Sequence, residues 1–236
     1  MTTTERFAER VMTPLCRWDY IKVMPEDVRK TTIGANPQPL PEDKWAQEFH
    51  CLIPKQLTDP NDVKAFDALK QLVLRAAAAF YPGVDVNGRK PDGSPIIKLP
   101  FQDGDAYNQG AGGKKPQYVG MVYFSVRSIG KKHHIKPAQL DSSGAIVDIL
   151  DKRELYSGCW GKVMVSIYPN MKGAAQGLNF GLSSMLKMKD DTPLFSGGAG
   201  NAAEDFKEVA ADPNNRPSNA GMFTQTPSTG GLNLGF

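Results

Sequence analysis

The chain of 236 residues has no long apolar run, only three cysteines, only three histidines and a net charge of just +3. Its most apolar stretches, Leu72 to Tyr81 (interrupted by Arg75) and Val119 to Val126, fall far short of the roughly 20 residues that span a bilayer, so a soluble protein is expected. The opening MTTTERFAERVM carries acidic residues and no apolar core, and it does not read as a secretory signal. Cys16, Cys51 and Cys159 are odd in number and widely spaced, which argues against a disulfide framework and for a reducing compartment. Catalytic signatures are missing too: there is no Walker loop, dinucleotide fingerprint, nucleophile elbow or HExxH. Gly110 to Gly113 before Lys114-Lys115 lacks the GxxxxGK[ST] spacing, and His50-Cys51, His133-His134 and Cys159 lack zinc spacing. No cofactor and no resident metal are expected.

What the chain does have is charge of one sign in one region. Between Gly110 and Lys189 there are twelve Lys and Arg against four Asp and Glu, an excess of eight. From Asn201 onward the balance is two basic against four acidic residues. Clustered cations release counterions on meeting phosphates, so the basic middle points to an anionic polymer.

Local patterns predict a mainly β protein. Residues 1–14 show no period and read as an N-terminal arm. Strands are expected at Leu15 to Met24, Glu48 to Ile53, Ile96 to Leu99, Tyr118 to Arg127, Ala145 to Leu150, Cys159 to Tyr168 and Leu178 to Lys189, separated by Gly, Pro, Asn and Asp. One strong helix is predicted at about 60–81, capped by Asp59 or Asn61 and ended by Pro82-Gly83. Val63, Phe66, Leu69, Val73, Ala76, Ala77 and Phe80 form its inner stripe. A Gly-rich loop is expected at about 102–117. Residues 196–236, rich in Gly, Pro, Asn, Ser and Thr, read as a flexible tail whose apolar end at Phe236 is a candidate docking point. So short a spacing between strands leaves little room for crossover helices and implies antiparallel pairing.

Alternation then divides each strand into two faces. Cys159, Gly161, Val163, Val165 and Ile167 read as buried, which leaves Trp160, Lys162, Met164, Ser166 and Tyr168 outside. Val122, Phe124 and Val126 read as buried, with Met121, Tyr123, Ser125 and Arg127 opposite. Leu178, Phe180, Leu182, Ser184, Leu186 and Met188 form the mostly apolar face of the last strand, opposite Asn179, Gly181, Ser183, Met185, Lys187 and Lys189. Aromatic rings interleaved with cations suit single-stranded nucleic acid, because unstacked bases lie on rings while Lys and Arg follow the phosphates.

The block Glu154-Leu-Tyr-Ser-Gly-Cys-Trp-Gly161, its strand to Tyr168, Gly177 to Leu182 with Lys187, Asp190 to Leu194 and Ala203 to Phe206 resemble a family of bacteriophage single-stranded DNA-binding proteins. The segment Pro95 to Asp105 looks like that family's loop before the strand at Tyr118, and the similarity runs from about Met12 to Phe206. The resemblance implies an OB-fold barrel, similar to T7-type replication proteins, over about residues 15–195. It also implies a non-enzymatic protein that coats single strands without sequence preference in the cytoplasm of an infected bacterial host. Partners would be single-stranded DNA and replication proteins reached through the tail, with the chain a monomer or homodimer and no membrane involved. The matched block contributes Tyr156, Trp160, Lys162, Tyr168 and Lys187. Relatives often end in a strongly acidic tail, from which this mixed Thr/Gly/Asn-rich ending departs.

Together these readings nominate Trp160, Tyr168, Tyr123, Trp18 and Tyr20 for stacking and Lys162, Lys187, Lys189, Arg127, Lys114 and Lys115 for phosphates. Two alternatives stand beside them: a metal-dependent nuclease using Asp103, Asp105 or Asp190 (the last beside Asp191), and a virion structural protein whose basic face serves assembly.

Overall fold

A computed structural model describes residues 7–33, 35–109, 115–170 and 176–194. Lys114 and the expected 196–236 tail with Phe236 lie outside the described residues. Along the chain run β1 (Phe7–Met12), β2 (Cys16–Lys22), β3 (Ala46–Pro54), α1 (Pro60–Phe80), β4 (Gln102–Asp103), α2 (Gly104–Gln109), β5 (Met121–Ile129), β6 (Ala138–Leu140), β7 (Ile146–Asp148), β8 (Trp160–Asn170) and β9 (Gly177–Lys189).

Five of these strands close on themselves in the order β2-β3-β5-β9-β8 and back to β2. The β5–β9 pair is parallel and the other four pairings of the ring are antiparallel. This is the OB-fold barrel, a small closed sheet filled by side chains. β1 extends the ring by pairing with β8, and the β6–β7 hairpin is attached through β9.

The barrel is filled by the inward set of each strand: Phe49, Cys51 and Ile53 from β3, Phe124 and Val126 from β5, Val163, Val165 and Ile167 from β8, Leu178, Phe180 and Leu182 from β9. Phe101, Phe124 and Phe180 contact one another with ring centroids 4.8–5.8 Å apart. Each fully buried side chain of this size contributes roughly 1.5–3 kcal/mol. Against this core α1 lays Leu69, Leu72, Val73, Ala76 and Ala77. Asp59 caps the helix by accepting from the Asn61 N–H at 2.7 Å, whereas Val63, expected in the inner stripe, is 40 % exposed.

Several local expectations are revised. Phe7–Met12 is a strand, because its backbone pairs with β8 where alternation in the side chains gave no hint. Ile96 to Leu99 forms no strand; isolated bridges, Arg89 to Pro95 and Lys98 to Gly177, and the burial of Ile97 in the core tie that region down. Within the expected Gly-rich loop, Gln102–Asp103 pairs with β5 and the next six residues turn into α2. Asp103 starts that turn by accepting the Asp105 N–H at 2.9 Å. Gly104 is required there, since a Cβ would stand 2.1 Å from the Tyr118 carbonyl oxygen.

Two bulges in β9 matter most for the site. One extra residue opposite Met164 and Val165 inverts the alternation, and a second opposite Trp160 and Gly161 restores it. Between them Met185 and Lys187 turn inward, to 3 % and 6 % exposure, although both were expected outside.

Candidate nucleic-acid interface

The outer face of β2, β3 and β5 carries a trough whose shape begins with a kink in β2. The register with β3 breaks between Asp19 and Lys22, and Tyr20 adopts φ 53°, a conformation that L residues rarely take. Asp19, fully buried, holds the kink by accepting the Tyr20 N–H at 2.8 Å and the Tyr118 O–H at 2.9 Å. The result pushes the Tyr20 ring, 39 % exposed, out over the neighbouring strand. It meets His50 of β3 edge-on at 5.4 Å.

From there a cavity of about 240 Å³ is lined by Tyr20, Lys22, His50, Lys115, Ser125 and Arg127. A second of about 240 Å³ is lined by Ser125 and Arg127 again, with Lys98, Gln102, Tyr168 and Asn179. Because Ser125 and Arg127 line both, the two cavities adjoin on the outer face of β5 and together make a trough from β2 towards β8. Following the curved wall of the closed barrel, four strand spacings of about 4.8 Å give it a path of about 19 Å. At its midpoint Arg127 pairs in register with Gly181 of β9. Gly181 carries no side chain where a Cβ would lie 2.6 Å from Ser166 Oγ and 3.7 Å from the Tyr168 ring, so Ser166 packs closely over it beside the Tyr168 end of the trough.

The electrostatics are specific. Glu48 sits between Arg29 at 3.2 Å and Arg127 at 2.8 Å, which fixes the Arg127 guanidinium while leaving its side chain 43 % exposed. The Tyr118 hydroxyl donates to Asp19 and lies 2.7 Å from His50 Nδ1. Its one proton is therefore committed, so Nδ1–H must be the donor to Tyr118, leaving Nε2 as the unprotonated nitrogen. Burial holds the His50 pKa below the usual histidine value, against the opposing pull of Asp19. Burial, seconded by Asp19, pushes the Tyr118 hydroxyl far above the tyrosine range. Lys115 Nζ stands over three rings, 4.1 Å from Tyr20, 5.1 Å from Tyr107 and 5.2 Å from Tyr118. Burial pulls the Lys115 pKa down, but the contacts with Tyr20 and Tyr107 outweigh it and leave the pKa raised.

Of the residues nominated from sequence, the trough brings together Tyr20, Lys115, Arg127 and Tyr168. Trp160 stands at the far end of β8, eight residues or about 26 Å from Tyr168, with Lys162 two residues along the strand and Lys189 of β9 paired opposite Trp160. There Trp160 Nε1 donates to Asp191 at 2.7 Å, Lys189 Nζ lies 5.0 Å from the Trp160 ring, and Lys162 pairs with Asp62 of α1 at 3.3 Å. The whole LYSGCW block grips the chain leaving β9. The Tyr156 hydroxyl lies 2.9 Å from Asp190 Oδ1 and Asp191 O, and the Leu194 N–H donates to Ser157 O at 2.8 Å. Burial, seconded by Asp190, pushes the Tyr156 pKa up to about 12.

Three nominations are corrected by burial. Trp18 is fully enclosed in the barrel, edge-on to Phe49 at 5.6 Å and so close over Gly161 that a Cβ there would lie 2.2 Å from its ring. Tyr123, 5 % exposed, belongs to a second small core with Leu52 and Tyr118, covered by Tyr107 of α2. Lys187 is turned inward by the β9 bulge and donates to Glu154 O at 2.6 Å while pairing with Asp190 at 2.7 Å. Asp103 and Asp105, the nuclease candidates, both hold the Lys55 ammonium at 2.6 Å; these hydrogen bonds keep both carboxyls below their usual pKa. Among the described residues no group of three or more His, Cys, Asp and Glu is placed to hold a metal ion, and no helix is long and apolar enough to cross a membrane.

His50, Lys22, Lys98 and Tyr107 were not singled out from sequence as binding residues. The signal for His50 was present: Glu48, His50 and Leu52 alternate with Phe49, Cys51 and Ile53 in a segment already read as a strand.

A family model described as Enterobacter phage Enc34, ssDNA-binding protein, matches residues 36–215. Among solved structures, the single-stranded DNA-binding protein from bacteriophage Enc34 in complex with ssDNA superposes at TM-score 0.50 with 17 % identity, covering 82 % of this chain and 95 % of that one. A C-terminal truncation of the same protein gives 0.49, 17 %, 84 % and 95 %. Gp2.5, a single-stranded DNA-binding protein encoded by bacteriophage T7, gives 0.46, 18 %, 84 % and 94 %. No curated protein matches the sequence.

Proposed function

Since the chain belongs to the phage single-stranded DNA-binding family typified by that of Enterobacter phage Enc34, we propose that it coats single-stranded DNA during phage replication and recombination, holding the strand in the trough from Tyr20 to Tyr168. The observation that carries this reading is the meeting of the two cavities at Arg127 and Ser125, with an aromatic ring at each end and cations between. Bases stack on Tyr20 and Tyr168, and Lys22, Lys98, Lys115 and Arg127 meet phosphates. A duplex hides its base faces and gains nothing from such rings. Stacking accepts any base, so binding is independent of sequence. The protein acts by occupancy and not by catalysis, a reading supported by the commitment of Asp103 and Asp105 to Lys55. Its place is the cytoplasm of the infected host, in keeping with three buried, unpaired thiols.

The test is fluorescence anisotropy with a labelled oligothymidine and with a hairpin duplex of equal length. Tight, salt-sensitive binding to the single strand and at least about 100-fold weaker binding to the duplex are expected. Equal affinity for both, or none for either, refutes the proposal.

A further inference from the structure

The Tyr20 ring, held in its strained projection by Asp19, is not bare: the Lys115 ammonium stands 4.1 Å from the ring centroid. A base stacks within about the same distance, so base and ammonium compete for the ring. Lys115 has somewhere to go. Its backbone is anchored, with the Lys115 N–H donating to Asn108 Oδ1 at 2.5 Å and the Tyr118 N–H donating to Lys115 O at 2.9 Å. Its four-carbon stem leaves the head group able to swing by several ångströms, and the rings of Tyr107 and Tyr118 lie 5.1 and 5.2 Å from it already.

Resting on the reading of the trough as a single-strand site, we infer that Lys115 is a placeholder on the Tyr20 stacking shelf: an incoming base displaces its ammonium, which then pairs with that nucleotide's phosphate. Lys115 therefore opposes binding before the exchange and supports it afterwards. The two roles respond differently to salt. The phosphate contact is screened and released as salt rises, whereas the work of clearing the ring is short-ranged and persists.

The experiment measures oligothymidine affinity from 50 to 500 mM NaCl for the full chain, Lys115→Met, Tyr20→Leu and the double variant, with thermal unfolding to verify folding. For Lys115→Met the slope of log affinity against log salt is expected to fall by about 0.7, the value for one phosphate contact on a single strand. The two lines should cross: a slope difference of about 0.7 changes the affinity ratio about 5-fold over this tenfold salt range, so the variant should bind about 2–3-fold more weakly at the low-salt end and about two-fold more tightly at the high-salt end. In the Tyr20→Leu background there is no shelf to clear, so the same substitution should weaken binding at every salt concentration without a crossing. Lys115→Arg should restore the steep slope. Parallel lines, or a crossing that survives the loss of Tyr20, overturn the inference while leaving the trough as the binding site. Failure of the unaltered chain to bind the oligonucleotide overturns both.

Discussion

Arg127→Ala is the most direct perturbation of the trough, because Arg127 lines both of its halves. Its Nε is committed to Glu48 at 2.8 Å, and with 43 % of the side chain exposed the two terminal nitrogens are available to a phosphate. A hydrogen bond to a charged group contributes about 1.5–3 kcal/mol when sheltered. Partial exposure and screening at 0.15 M salt reduce that to about 1–2 kcal/mol, a loss of about 5–30-fold in affinity. A second effect adds to it. Without Arg127, Glu48 keeps only Arg29 at 3.2 Å, and its carboxylate turns partly uncompensated toward the strand. Arg127→Ala/Glu48→Gln removes that repulsion and should recover part of the loss, separating the missing contact from the exposed anion. Arg127→Lys keeps the charge but not the planar fork and should fall between the two. Anisotropy titrations of oligothymidine across a salt series read all three, with the salt slope of Arg127→Ala reduced by about 0.7. Affinity within two-fold of the unaltered chain and an unchanged slope, at equal thermal stability, would refute the placement of the strand across Arg127.

Three further outcomes are expected. Gly181→Val forces Ser166 towards the Tyr168 end of the trough, since a Cβ there would lie 2.6 Å from Ser166 Oγ and 3.7 Å from the Tyr168 ring; binding should weaken at least about ten-fold, partly recovered by Ser166→Gly, and undiminished affinity would show that the Tyr168 end is not used. Trp160→Phe keeps the ring but removes the bond to Asp191, so unfolding should be easier by about 0.5–1 kcal/mol with trough affinity within two-fold; a large loss of affinity at unchanged stability would return Trp160 to the DNA path. His50, whose pKa burial holds below the usual histidine value of 6.5, takes up its proton more readily in the unfolded chain. Its contribution is complete above pH 6.5 and is lost as pH falls from there through the lower folded pKa. His50→Gln should therefore flatten the fall in urea midpoint between pH 7 and 5, and an identical acid slope in both proteins would contradict the buried neutral imidazole.

The relation between sequence and site follows from where periodicity holds. In β8 the alternation of Gly161, Val163, Val165 and Ile167 against Trp160, Lys162, Met164 and Tyr168 is legible because the strand itself is unbroken, with Ser166 the exception, expected outside but 8 % exposed. α1 was legible for the same reason, its Asp59 cap and its spacing of three and four being local properties. Tyr123 and Trp18 were misplaced by a different failure: alternation names a face but not what covers it, and α2 and the barrel interior are tertiary facts. Lys187 failed because one inserted residue in β9 exchanges inside for outside, and nothing in LSSMLKMK marks the insertion.

The same kind of irregularity builds the site. Tyr20 reaches the trough through a register break and a left-handed backbone at a position with no glycine to announce it. A regular β2 would alternate Trp18, Tyr20 and Lys22 on one face. Since Trp18 is enclosed, the Tyr20 ring could reach solvent only by breaking that rule. The buried Asp19 carboxylate that stabilises the break also receives the Tyr118 hydroxyl, which fixes His50 in turn. One carboxylate therefore holds the shelf and sets the tautomer of the trough wall. Sequence reading fails here because a locally unfavourable backbone persists only where surrounding contacts over-determine it, and those contacts come from residues 30 to 99 positions away.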